Sequence, residues 1–202
     1  MELVVATKNK LKLQEIKAIL KGLRVEISSI ADYSGAPRII ENGLTFRANA
    51  AKKALKLARF TGKLTLGEDS GICIDALGGK PGIYSSRFSG SNKSDEKNNV
   101  KVLRLLRDLP LSKRKAHYVA AVALADKDGL LKIVEGKCHG RIGFKLRGTR
   151  GFGYDPLFEI PGYKKTFAEL GESIKHKMSH RYHALKKVRV IIEKYIGKQK
   201  YC

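Results

Sequence analysis

Residues 64–74, Leu-Thr-Leu-Gly-Glu-Asp-Ser-Gly-Ile-Cys-Ile, constrain the chain more than any other stretch. Apolar, β-prone residues lead in and lead out. Between them stand two adjacent carboxylates, Glu68 and Asp69, with Ser70 and the glycines Gly67 and Gly71. A carboxylate has no place in a buried strand unless it is paired or bound to a metal. The pattern predicts a strand that ends in an acidic rim and then re-enters the sheet. Gly67 and Gly71 would allow the sharp turns and the close approach of a ligand. Oxygen donors of this kind suit Mg²⁺, which takes one or two protein carboxylates and leaves the rest to water and phosphate. A solvated hairpin turn fits the same residues. The rest of the chain has to decide between them.

Upstream, Leu3–Ala6 predicts a short strand, and Thr7-Lys8-Asn9-Lys10 a polar loop. Leu13, Ile16, Ile19, Leu20 and Leu23 then recur at helical spacing, closing at Gly22. A helix N-terminus offers N–H groups and a positive dipole end to an anion, and here Lys8, Lys10 and Lys12 add charge. Val25–Ile27 predicts a second strand, and 32–40 an irregular segment. Thr45 caps a helix that runs to Thr61 and stops at Gly62. Its apolar face is Phe46, Ala50, Ala54, Leu57 and Ala58, and Asn49 and Lys53 share a neighbouring face near Glu41. A lysine in a helix is ordinarily solvent-exposed.

Downstream, the glycine- and proline-rich run 78–84 excludes regular structure. Residues 99–107 carry a helical pattern. Ala116–Ala125 and Leu130–Cys138 predict a hairpin about Asp126–Gly129. Phe152 and Tyr154 stand between glycines in 148–156, which reads as a cover for a ligand more than as core. The last helix starts near Ser179, with His180 and Arg181 against its dipole. Strands alternating with helices, followed by a hairpin, predict an α/β fold with a mixed central sheet flanked by helices.

The 202 residues fit one domain, with no linker or repeat. No run approaches the roughly 20 apolar residues of a transmembrane helix. Met1–Ala6 predicts a strand, not a signal peptide. Cys73, Cys138 and Cys202 have no zinc or redox spacing, so a reduced cytoplasmic setting is expected. The formal charge of +22 points to a polyanionic partner, either nucleic acid or phosphorylated small molecules. The lysines are dispersed, and no nucleic-acid module is present, so specific nucleic-acid binding is not expected. Phosphate-loop and dinucleotide glycine fingerprints are absent from the sequence.

Six segments in this order resemble the inosine triphosphate pyrophosphatase family, the XTP/dITP diphosphatases. They are 7–12 (Thr-Lys-Asn-Lys-Leu-Lys), 41–46 (Glu-Asn-Gly-Leu-Thr-Phe), 68–71 (Glu-Asp-Ser-Gly), 77–84, 151–156 (Gly-Phe-Gly-Tyr-Asp-Pro) and 179–181 (Ser-His-Arg). The resemblance extends from Val4 to about Ile192. It implies Mg²⁺-dependent hydrolysis of non-standard purine triphosphates to monophosphate and pyrophosphate. It implies an elongated two-lobed fold, one domain over 1–202, with the active site in the cleft between lobes, and a homodimer. By the same resemblance, Thr7, Lys8, Asn9, Lys10, Leu11 and Lys12 take the triphosphate, with Lys53 near the phosphates. Glu41 and Asp69 ligate Mg²⁺ with Glu68 assisting, Asp69 is also the proton acceptor, and Ser70 contacts substrate. Phe152, Gly153, Tyr154, Asp155, Lys175, His180 and Arg181 take the nucleoside, with Arg181 a candidate donor to the base. Three segments depart from the family: Ala48 where glutamate is frequent, Glu68 for aspartate, and Ile174-Lys175-His176 for Glu-Lys-Asn. The first removes any metal role at position 48.

Overall fold

The computed structural model describes residues 1–199, with 198 and 199 described in backbone only; Cys202 lies outside the described residues. Its strands are β1 (Glu2–Val5), β2 (Glu26–Ser29), β3 (Leu64–Ile74), β4 (Lys115–Asp126), β5 (Gly129–Ile142), β6 (Phe158–Ile160) and β7 (Lys165–Thr166). Its helices are α1 (Lys10–Ile19), α2 (Phe46–Thr61), α3 (Asp95–Leu105), α4 (Phe167–Leu170), α5 (Glu172–Met178) and α6 (His180–Gln199). The strands run in the order β2-β1-β3-β4-β5-β6-β7. Pairing is parallel at β1–β2 and β1–β3 and antiparallel at β5–β6 and β6–β7, so the sheet is mixed as expected. The described residues divide into two compact units, one of 1–69, 120–136 and 181–199, the other of 70–119 and 137–180.

In the first unit, Leu3 and Val5 of β1, Leu64 and Leu66 of β3 and the inner residues of β4 pack against Ile16 and Leu20 of α1 and Leu185, Val188 and Ile192 of α6. A second layer is almost pure alanine: Ala50, Ala54 and Ala58 of α2 against Ala121, Ala123 and Ala125 of β4. Small side chains let the helix lie close to the sheet, and Gly67 completes this. A Cβ there would fall on the carbonyl oxygen of Ala50 and 2.6 Å from the nitrogen of Ala54. Gly67 therefore serves close packing and not a turn. Strand β3 is continuous through Glu68 and Asp69, so both the re-entrant rim and the hairpin turn are overturned. The physical reason is pairing: each carboxylate meets cations, as described below, and needs no solvent.

The second unit has its own core, with Ile72 and Ile74 of β3, Tyr118 of β4, Val102 and Leu106 of α3, and Phe158 and Phe167. Helix α3 begins four residues before the predicted start because Ser94 caps it and Asp95 and Glu96 complement its dipole. Helix α5, which carries Lys175, has no counterpart among the predicted elements. Tyr154 is 3% exposed and lies within this core, its hydroxyl donating to Ser85 O at 2.7 Å. That corrects its reading as a ligand cover outside the core; glycines beside it shape the turn without lifting the ring into solvent.

Candidate functional site

Strand β3 presents Glu68 and Asp69, and three neighbouring elements bring the partners. Helix α2, capped at Thr45 and Gly62 as predicted, turns Asn49 and Lys53 toward the strand. Lys53 is only 7% exposed, which overturns the expectation for a helix lysine. Its Nζ lies 2.7 Å from Glu41 Oε2 and 3.4 Å from Asp69 Oδ1. Asn49 bridges the same group: Nδ2 donates to Asp69 Oδ2 at 3.0 Å, and Oδ1 accepts from Gly43 N at 2.8 Å. The segment carrying Glu41 is thus tied to the helix that carries Lys53.

Glu68 faces a different set. Lys12 Nζ is 2.9 Å from its Oε2, and Arg181 Nη2 is 3.0 Å from its Oε1. Arg181 also pairs with Glu15 and is 1% exposed. The first turn of α6 thus accepts a cation because two carboxylates neutralise it. Glu15 was not anticipated from the sequence. Its signal was there: it is a carboxylate beside Ile16 on the buried side of α1, where a charge requires a partner.

The electrostatics follow from burial and this crowding. Burial works against the ionised form of Glu68, but Arg181 and Lys12 outweigh it and hold its carboxyl well below the usual range. Burial likewise opposes charge on Glu41, and Lys53 overcomes it, leaving that carboxyl lowered. Asp69 goes the other way: burial, aided by the charge of Glu41, raises it despite Lys53 and Lys12. Lys53 is raised, because Asp69 and Glu41 outweigh its burial. Among the ion pairs described, three cations, Lys12, Lys53 and Arg181, face four carboxylates, Glu15, Glu41, Glu68 and Asp69. The surplus is negative, which suits an added divalent cation. Among the described residues no three His, Cys, Asp or Glu gather as a complete metal cage. Two carboxylates sharing one lysine fit Mg²⁺, which keeps open positions for water and phosphate.

The loop before α1 is tighter than a bare anion cradle. Asn9 caps the helix, and its Oδ1 accepts from Leu11 N at 3.0 Å and Lys12 N at 3.2 Å. Those two N–H groups, expected to face an anion, are engaged by Asn9. Thr7 Oγ1 accepts from Asn9 N. Lys8, Lys10 and Leu11 are exposed at this helix start.

The second unit gathers the other predicted residues. Asp155 Oδ2 meets Lys175 Nζ at 2.6 Å and accepts from Phe152 N at 3.0 Å. Lys175 also lies 4.7 Å from the centre of the Phe152 ring. Gly151, with φ of +81°, makes room for this carboxylate, since a Cβ there would fall on Asp155 Oδ2. His180 stacks on Tyr118 with ring centres 4.6 Å apart and planes 10° apart. Gly153 belongs to the same loop, and Ser70 is half-buried on β3.

Carboxylates on one strand of a mixed sheet, met by lysines from the flanking helices α1 and α2, define an α/β protein with a buried charge cluster. The chain belongs to the Ham1 family, whose sequence profile matches residues 3–191. It is 46% identical over 194 residues to a dITP/XTP pyrophosphatase of Desulforamulus reducens, covering 96% of both chains. It is 48% identical over 183 residues to one of Geobacter sulfurreducens, covering 91% of this chain and 92% of that protein. Among solved structures, the Ham1 protein of Staphylococcus aureus matches with a TM-score of 0.86 at 34% identity, covering 96% of this chain and all of that one. A HAM1 protein from Coxiella burnetii matches with a TM-score of 0.87 at 36% identity, over 96% of this chain and 99% of that one. No helix among the described residues is long and apolar enough to cross a membrane.

Proposed function

We propose that this protein is a nucleoside triphosphate pyrophosphatase that hydrolyses dITP, ITP and XTP to monophosphate and pyrophosphate; the two relatives above are dITP/XTP pyrophosphatases. The observation that carries the reading is the cluster of Glu41, Lys53 and Asp69, with Asn49 fixing one oxygen of Asp69. Glu41 and Asp69 hold Mg²⁺, with Glu68 in support. Bound there, Mg²⁺ neutralises phosphate charge and acidifies a water molecule. Lys12 and Lys53 neutralise the triphosphate, with the 7–12 segment beside them. Asp69, held at both oxygens, orients the water and accepts its proton. Phosphoryl-type transfer asks for little more than such positioning and charge neutralisation.

The base falls to Phe152–Asp155, Lys175 and His180, with Ser70 on the substrate. Stacking is sequence-tolerant, so selection rests on polar groups. Hypoxanthine and xanthine present an acceptor oxygen where adenine presents an amino donor. A donor in the site pairs with the first and is left unpaired by the second. Arg181 contributes indirectly, by holding Glu68. We place the active protein in the cytoplasm as a homodimer, one domain in two lobes, which light scattering tests directly.

A panel of triphosphates with Mg²⁺ or with chelator, the product resolved as pyrophosphate or phosphate, tests the reading. ITP or XTP should exceed ATP by orders of magnitude in kcat/KM, with pyrophosphate released and activity lost to chelator. Comparable efficiency on ATP and ITP would overturn it.

A further inference from the structure

Helix α3 holds the aromatic loop by a single residue. Asp95 and Asn99 are four apart and so share one face of the helix. Asp95 Oδ2 accepts from Gly153 N at 2.7 Å, and Asn99 Nδ2 donates to Gly153 O at 2.9 Å. Both polar groups of Gly153 are therefore taken. Gly153 stands between Phe152 and Tyr154, with φ of +64°. The neighbouring Asn98 does similar work on the segment before α3. Its Oδ1 accepts from Ser89 N at 2.7 Å, and its Nδ2 reaches Ser85 O at 3.3 Å. Ser85 O also receives the Tyr154 hydroxyl, so a second path joins α3 to the loop.

Asn99 is 3% exposed, and its Oδ1 is buried with no hydrogen-bond partner among the described residues. An unmade bond of that kind destabilises the fold, and an apolar residue of like shape avoids it. What the amide gives in return is its hydrogen bond to Gly153. We propose that Asp95 and Asn99 are positioning residues for base recognition. By gripping the Gly153 peptide they set the plane of Phe152 and the carboxylate of Asp155, which itself accepts from Phe152 N. Without the grip, a glycine at this point of the loop is free to sample other backbone angles. This inference rests on the proposed role of the loop as the base site.

The test is steady-state kinetics on Asn99→Asp, Asp95→Ala and Asp95→Asn in the full chain, with IMP and inorganic triphosphate as inhibitors. Asn99→Asp sets a carboxylate oxygen against the Gly153 carbonyl. Asp95→Ala removes the acceptor, whereas Asp95→Asn keeps one. The first two should raise KM for ITP and Ki for IMP by about tenfold or more, a scale set by loss of orientation. They should shrink the preference for ITP over ATP, leave kcat near wild type, and leave Ki for inorganic triphosphate unchanged. Asp95→Asn should return to near wild type. If Asn99→Asp fails to fold, Asp95→Ala, in an exposed first turn, carries the test alone. Unchanged KM and preference in folded Asp95→Ala would overturn the proposal, as would equal losses for IMP and inorganic triphosphate. A wild-type enzyme without preference for ITP would instead overturn the base-site reading and this proposal with it.

Discussion

Each unit buries a lysine against a carboxylate, but the two lysines serve different ends. In the first unit Lys53 is shared by Glu41 and Asp69, within a cluster that carries more carboxylates than cations. In the second, Lys175 meets Asp155 at 2.6 Å and covers the ring of Phe152. A shared lysine amid surplus negative charge suits an added cation. A lysine and carboxylate fixed to one aromatic loop set an orientation. The same pair of residue types thus yields a charge-handling centre in one unit and a shape-defining one in the other.

The largest effect should come from the first centre. Asp69→Asn should lower kcat by on the order of 10³, within the range of positioned acid–base groups, while circular dichroism and melting temperature stay near wild type. Turnover near wild type under saturating Mg²⁺ would remove Asp69 from the chemistry. The two lysines should then give crossed results. Lys53→Met should lower kcat/KM for triphosphates by about 10², equivalent to roughly 3 kcal/mol, and leave IMP inhibition intact. Lys175→Met should weaken IMP and spare inhibition by inorganic triphosphate. It should also cost about 3–5 kcal/mol of stability, because Asp155 is left buried with its lysine gone. Adding Asp155→Asn should recover stability without recovering the base preference. If both lysine variants lose IMP and inorganic triphosphate alike, the division between the units fails.

Two glycines sharpen the contrast at a smaller scale. Gly67→Ala strikes rigid backbone at Ala50 and Ala54, so it should cost about 1–3 kcal/mol, read as a lower denaturation midpoint. Gly151→Ala strikes the Asp155 carboxylate at a φ of +81°, so it should raise KM for ITP before it lowers the midpoint. The smallest effect lies at Glu2. Hydrogen bonds from Lys63, Ser28 and Tyr33 lower its pKa from the ordinary 4.5 to about 2. A lowered pKa means stability present above pH 4.5 and lost as pH falls toward about 2. The amount is small, because solvent screens so accessible a network. Glu2→Gln should flatten the stability profile across that interval in acid denaturation, and an unchanged slope would show that this network contributes nothing.

Much of the architecture was legible because it is local. Helix α2 declared its cap at Thr45, its stop at Gly62 and its alanine face, and the β4–β5 hairpin declared its turn. The start of α3 lies outside the apolar pattern over 99–107, because its first turn is polar and is set by the cap at Ser94. Helix α5 is seven residues long, too short for periodicity to speak. The six motif segments marked the region of the site, but not its wiring. Asn49 on Asp69, Glu15 on Arg181 and Asn99 on Gly153 are contacts across 20, 166 and 54 positions.

The sequence by itself determined the α/β class, the adjacent carboxylates between two β-prone runs, the helix bearing Lys53, and the family. Periodicity, capping and motif order are properties of neighbours along the chain, so they survive without coordinates. Only the tertiary structure decided that β3 runs unbroken, that Lys53 and Arg181 are buried, that Tyr154 is core, and that Gly67 serves helix approach. Each of these depends on what stands opposite a residue in space. A buried charge is tolerated or forbidden by its partner, and the partner comes from another part of the chain.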